Sequence, residues 1–382
     1  MSSSPALDPD VADVLSLSQS DPARATALLA NEPVENIVAL VCRAPAHRRE
    51  ELLKLLDHPE KVIELLPEAE LCFTAKAVGL HDAGWILASA TNSQLIAALD
   101  LDSWQGLEID LVKFDTWMDA LTHAGDTTLV RAVQHVDKEL IYLYLLKHLI
   151  VDLKPPDSES NDDWQPPIGA QTIDGQFYFA AREEKDDLET ILRLTKLLFT
   201  EDYWLYFRMM QAVIHELPTE NEEFALRWRQ GRLEDLGFPK WETSMAIYSH
   251  LKAEDRRSLP EEIDALDVQS WKMPVWAPPM PVRADGSEYG IFRAAAHLGD
   301  EERSAFFFAF IALANKVAVA ERMPLGDVET LPASIAKAAE LTSIGLTLLS
   351  EDRPADATDL LRHVTLDRLF RVGANELREP ST

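Results

Sequence analysis

Arg227, Arg229 and Arg232 place three guanidinium groups within six residues, with Trp228 between the first two and Asp235 closing the run. Planar guanidinium forks hold carboxylates and phosphates through paired hydrogen bonds, and a neighbouring indole offers a stacking face, so the segment is a candidate anion site. The opposing reading is an internal ion-pair network. Arg229 and Arg232 share a helix face at i,i+3, and Glu222, Glu223, Glu234 and Asp235 stand close enough in sequence to neutralise them. The network is the stronger of the two. A second oddity is Asn315–Lys316, a polar pair inside an apolar run, which must be hydrogen-bonded, exposed along one stripe, or functional. Pairing of Lys316 with Glu321, or an ammonium reaching out to water, is the favoured explanation. Arg227, Trp228, Arg229, Arg232, Asp235, Asn315 and Lys316 are therefore the candidate ligand-binding residues.

Other chemistry-bearing residues fall short of a motif. His215-Glu216 precedes Glu220, Glu222 and Glu223, but a zinc-protease helix needs a second histidine four residues on, where this chain has Thr219 behind Pro218. His81-Asp82 has the composition of an acid/base pair, yet adjacent residues on a helix point apart, so a cap or surface pair is the simpler reading. Cys42 and Cys72 are the only cysteines, stand in apolar settings and read as buried free thiols. No glycine directly precedes a lysine, and neither GxGxxG nor GxSxG occurs. No catalytic residue, metal-ligand set or cofactor is assigned.

The charge balance narrows the partners. Against 36 basic residues stand 65 acidic ones, a formal charge of -29 that repels phosphate backbones and anionic lipid. The short basic clusters His47-Arg48-Arg49, Arg227 to Arg232 and Arg256-Arg257 all have acids nearby and read as solvated faces. The most apolar run, Ala305 to Ala314, is ten residues long, half of the roughly 20 a bilayer crossing needs, and predicts a core helix without membrane insertion. The opening MSSSPALDPD lacks the basic-then-apolar pattern of a secretion signal, which makes cytoplasm the expected compartment. The expected partner is another protein, with a small anionic ligand as the alternative and nucleic acid excluded.

The elements that must carry these residues are helical almost throughout. Ser20-Asp21-Pro22 is a capped helix start, and Pro59 opens a further helix with Val62, Ile63, Leu65 and Leu66 at helical spacing. Thr91-Asn92-Ser93-Gln94 is a capping box; Asp115 and Asp137 occupy similar entry positions. Gly237-Phe238-Pro239 reads as a helix C-cap with a hydrophobic lock. Thr172 to Ala180 alternates around Asp174-Gly175 and predicts a small β-hairpin. The expected fold is all-α, built of stacked helical hairpins. Residues 1–32 form a tail and short helix, and 33–153 a helical-repeat-like domain. An acidic, proline-rich linker follows over 154–185, then an aromatic-rich helical domain over 186–258. A strap containing Trp271, Trp276 and five prolines spans 259–290, and a C-terminal helical domain covers 291–382.

RWRQGRLEDLGFPKWETSMAIYSHL, together with the closing DLLRHVTLDRLFRVG, resembles a bacterial family known as domain of unknown function 6178, over most of the chain. That resemblance implies a cytosolic helical architecture and no particular reaction. The region from Pro59 to Leu149 is also weakly similar to the helical cytosolic N-domain of MgtE-type magnesium transporters, which implies short helices stacked in a superhelix more than magnesium sensing. Together these readings favour a non-catalytic helical scaffold or regulatory protein; the alternative is an enzyme or small-anion binder using Arg227 to Asp235.

Overall fold

A computed structural model of the chain describes residues 9–155, 164–183, 188–256, 265–266, 289–350 and 354–378. The expected tail over 1–8, the 156–163 and 184–185 parts of the linker, and the strap over 259–290 apart from 265–266 and 289–290 lie outside the described residues. Two compact units divide the chain, Met1–Arg229 and Gln230–Thr382.

The first unit opens with short helices: α1 (Pro9–Ser20), α2 (Pro22–Leu29), α3 (Val34–Arg43), α4 (Arg49–Leu53), α5 (Pro59–Ile63), α6 (Glu68–Val78) and α7 (Gly84–Ser89). It continues with α8 (Asn92–Asp102), the strands β1 (Trp104–Gln105) and β2 (Glu108–Ile109), α9 (Leu111–His123), α10 (Asp126–His135) and α11 (Lys138–His148). Strands β3 (Leu149–Leu153), β4 (Gln171–Thr172) and β5 (Phe177–Ala181) precede α12 (Glu189–Glu201), α13 (Tyr203–His215) and α14 (Pro218–Asp235), and the division between units falls inside α14.

Local chemistry explains the starts. Asp21 accepts the Arg24 amide with Pro22 in the first turn of α2, and Thr91 and Gln94 exchange both bonds of a capping box on α8. Asp115 is not an entry residue: α9 begins four residues earlier, where Asp110 accepts from the Val112 and Lys113 amides. A capping aspartate that satisfies two orphan amides sets the helix start, and Asp115 then lies inside the helix.

The packing order reveals the architecture. Helix α3 packs on α5, α5 on α7, α7 on α9, α9 on α11 and α11 on α13, while α4 packs on α6, α6 on α8, α8 on α10 and α10 on α12. Each helix rests on the next but one, which makes two layers of a stacked array, the organisation of helical-repeat proteins. The fold is predominantly α-helical, as the periodicity predicts. The predicted hairpin forms about Gly175, at φ +72, with Asp174 Oδ1 accepting from the Gln176 and Phe177 amides. It belongs to a larger antiparallel sheet of order β3-β5-β4, because Leu149–Leu153 leaves the helical array and pairs with β5.

The second unit holds α15 (Trp241–Met245), α16 (Ala253–Arg256), α17 (Gly290–Ala295), α18 (Asp300–Ala320), α19 (Thr330–Ser350), α20 (Pro354–His363) and α21 (Leu366–Arg378). Its core gathers Phe306, Phe310, Val317, Leu346, Leu369 and Phe370. The crossing of α19 and α21 is the tightest contact described: a Cβ on Gly345 would lie 2.0 Å from the Leu369 carbonyl oxygen, and one on Gly373 2.0 Å from that of Leu341. Only glycine permits backbones to meet so closely. Helix α18 is long and apolar enough by length and composition to cross a membrane, with a mean hydropathy of 1.4. Half of that window is buried in the fold, its first turn is acidic, and the helix packs on α19, as a core helix does. Burial is less complete than its composition suggests, since Phe307, Phe308 and Ala309 are only half-buried.

Candidate functional site

The arginine run divides instead of converging. Residues 227 and 229 project about 200° apart on a helix of 3.6 residues per turn. Arg229 is 5% exposed; its Nε donates to the Asp100 carbonyl at 2.7 Å, an Nη donates to the Gly106 carbonyl at 3.1 Å, and its guanidinium sits 4.8 Å from the Trp104 ring centroid. Asp100 lies in the last turn of α8, where unsatisfied carbonyls carry the negative end of the helix dipole. Arg229 thus anchors α14 to the end of α8 and to the β1–β2 turn. Arg227, Trp228 and Asp235 are exposed, and Arg232 is half-buried. A planar fork built from all three arginines is therefore not assembled.

Asn315, 2% exposed, donates to the Gly237 carbonyl at 3.0 Å, and Gly237 at φ +83 ends α14 in a C-cap with the Phe238 amide bonded to the Leu233 carbonyl at 2.8 Å. The buried amide thus satisfies a helix-terminal carbonyl. Lys316 pairs with Asp367 on α21 and not with Glu321, whose carboxylate takes Lys337 and the Tyr248 hydroxyl. The acid five residues on loses to one that a packed helix brings alongside. His47-Arg48-Arg49 also differs from a solvated face: Arg48 pairs with Glu51 at the surface, but Arg49 is 4% exposed, 2.6 Å from Glu70, and bonded to the Cys42 and Ala44 carbonyls. A buried guanidinium persists only when its donors are satisfied in this way.

Both cysteines are buried free thiols. Burial pushes the Cys42 thiol up to about 12, with Glu70 adding to the shift and Arg49 opposing it, and burial raises Cys72 further. Neither supplies a thiolate nucleophile.

Open space lies at the amino-terminal end of the array. One cleft of about 570 Å³ is lined by Val14, Leu28, Leu29, Ile37 and Leu40, with Asp13, Glu32, Asn36 and Arg43 among its polar residues. A second of about 280 Å³ lies between α2, α3 and α5 and shares Leu29, Glu32 and Ile37 with the first. Leu29 and Ile37 are buried beneath both openings, whereas Leu28 is 45% exposed. Clefts with apolar linings and charged edges accept the apolar face of a helix or an extended peptide. No local motif marked these residues, because their apolar spacing is that of any amphipathic helix.

The metal-ligating types meet elsewhere. His215 ends α13 exposed and Glu216 is already extended, so no metal-binding helix continues there. His81 faces His123, with ring centroids 4.2 Å apart, and Asp119 completes a group of three. The i,i+4 spacing of Asp119 and His123 on α9 was the available signal; His81, on a distant turn, supplied none.

The profile of the family of unknown function DUF6178 matches residues 17–380. The chain belongs to that family. No curated protein and no solved structure matches it, so the likeness to the transporter N-domain stays without support. Membership of this family brings no assigned activity with which to read the site.

Proposed function

We propose that this member of the family is a non-catalytic cytoplasmic scaffold or regulatory protein whose stacked helices bind a segment of another protein. The observation that carries the reading is the pair of clefts at the amino-terminal end of the array, apolar beneath and charged at the edge, around Leu29 and Ile37. An amphipathic helix offering two or three apolar side chains suits such a cleft. With a formal charge of -29, electrostatic complementarity favours a basic partner segment and a rapid, salt-sensitive encounter.

Leu28 is exposed at the larger cleft, so Leu28→Arg disturbs the surface without emptying the core. Affinity capture with the intact protein should recover a reproducible partner that Leu28→Arg and Asn36→Arg both lose, while Val112→Arg, on exposed α9 surface, retains it. An identical partner set from all four proteins, or none above background, contradicts the reading.

A further inference from the structure

We propose that His81, Asp119 and His123 form a binding site for a divalent cation of the zinc class. One ring nitrogen of each histidine and one carboxylate oxygen of Asp119 all lie within 4.8 Å of one another. Two neutral imidazoles and a carboxylate match zinc, cobalt or nickel, whereas calcium and magnesium prefer all-oxygen shells. Metal–ligand bonds of about 2.0–2.1 Å put tetrahedral donors about 3.4 Å apart, so closure needs shifts of about an ångström. All three side chains are exposed, and small rotations about their χ angles supply that movement.

The convergence is built by the backbone. Asp119 and His123 stand one turn apart on the last part of α9. His81 arrives on the turn that follows α6, which Gly79 ends at φ +98 and which the Asp82 and Ala83 amides close by donating to the Gly79 carbonyl, each at 2.9 Å. Gly84, opening α7, then presses against the end of α9 so closely that a Cβ there would lie 3.2 Å from the His123 carbonyl oxygen and 3.3 Å from Ala124 Cα. The turn bearing His81 is thereby held beside the helix end bearing His123, and the rings meet edge to face at 64°.

His123 and Asp119 already approach each other, with Nδ1 of the ring 3.6 Å from Oδ2 of the carboxylate. The same Nδ1 lies 2.9 Å from the Asp119 carbonyl oxygen. Three protein donors leave a fourth position for water or for a side chain of a bound partner.

The test uses full-length protein treated with chelator and dialysed, titrated with Zn2+ by calorimetry and with Co2+ by visible absorption. The expected result is stoichiometric Zn2+ binding and a Co2+ d–d band, with affinity falling about tenfold or more in each of His81→Ala and His123→Ala. His135→Ala, an exposed histidine on α10, should leave both signals unchanged. Circular dichroism and the metal-free melting temperature establish that the variants fold. Absence of stoichiometric binding to the wild-type protein, or unchanged affinity in the folded His81→Ala/His123→Ala double variant, overturns the proposal.

Discussion

Arg229 holds a full positive charge almost entirely out of water, and a pair of carbonyls and an aromatic face are among the partners that make this tolerable. Arg229→Ala leaves the Asp100 and Gly106 carbonyls short of a donor and should cost about 3 kcal/mol in denaturant unfolding. Arg227→Ala, on the exposed side of the same helix, should stay within about 0.5 kcal/mol. Equal effects would show that the two arginines share one role. Glu302 makes a different prediction. Bonds from Arg362, then from the Gly299 amide, hold its carboxyl down at about 2, below the usual carboxylate range near 4.3. A depressed folded-state value means that the stabilisation is present above the unfolded value and is lost as pH falls toward about 2. Both partners are more than a third exposed, so the effect is small. Glu302→Gln should flatten part of the decline in melting temperature between those two values; an unchanged profile would remove Glu302 from acid unfolding. Little of this was legible in the residues themselves. Three arginines close in sequence look convergent until the helix turns them apart, and the carbonyls that hold Arg229 lie more than a hundred residues away.

At the scale of elements, the helix starts at Asp21, Pro59 and Thr91 were legible because capping chemistry is local. Strand β3 was not, since LIVDL directly follows an apolar helix and becomes a strand by pairing with β5. The meeting of Gly345 and Gly373 is likewise invisible until two helices are crossed. Gly345→Ala places a methyl group where the Leu369 carbonyl already lies, and α19 and α21 must separate. The expected loss is about 3 kcal/mol, at the upper end for overpacking a core, and it should appear in the unfolding of the second unit. A loss below about 1 kcal/mol, the ordinary cost or gain of exchanging glycine and alanine in a helix, would contradict so close a crossing. Gly231→Ala, with open space around its Cβ, is the matched control and should be neutral or stabilising.

For the whole molecule, apolar periodicity and capping signals pointed to a stacked helical fold, and the next-but-one packing of α3 through α13 supplies the order that irregular spacing in the sequence concealed. Stacked arrays place their working surface in clefts between successive elements, not in a single catalytic pocket. On the proposed reading, the formal charge of -29 favours a basic partner, and its association should slow as ionic strength rises past 0.1 M, where the screening length is roughly 10 Å. The most direct measurement is photo-crosslinking in cells of the native source, with the reactive side chain placed at Leu28 in one protein and at Val112 in another. Leu28 lines the larger cleft, while Val112 is an exposed position on α9. The expected result is a discrete adduct from position 28 that position 112 does not give, mapped to a basic, amphipathic segment of the partner. The same adducts from both positions, or none from position 28, would contradict a partner-binding cleft at the start of the array.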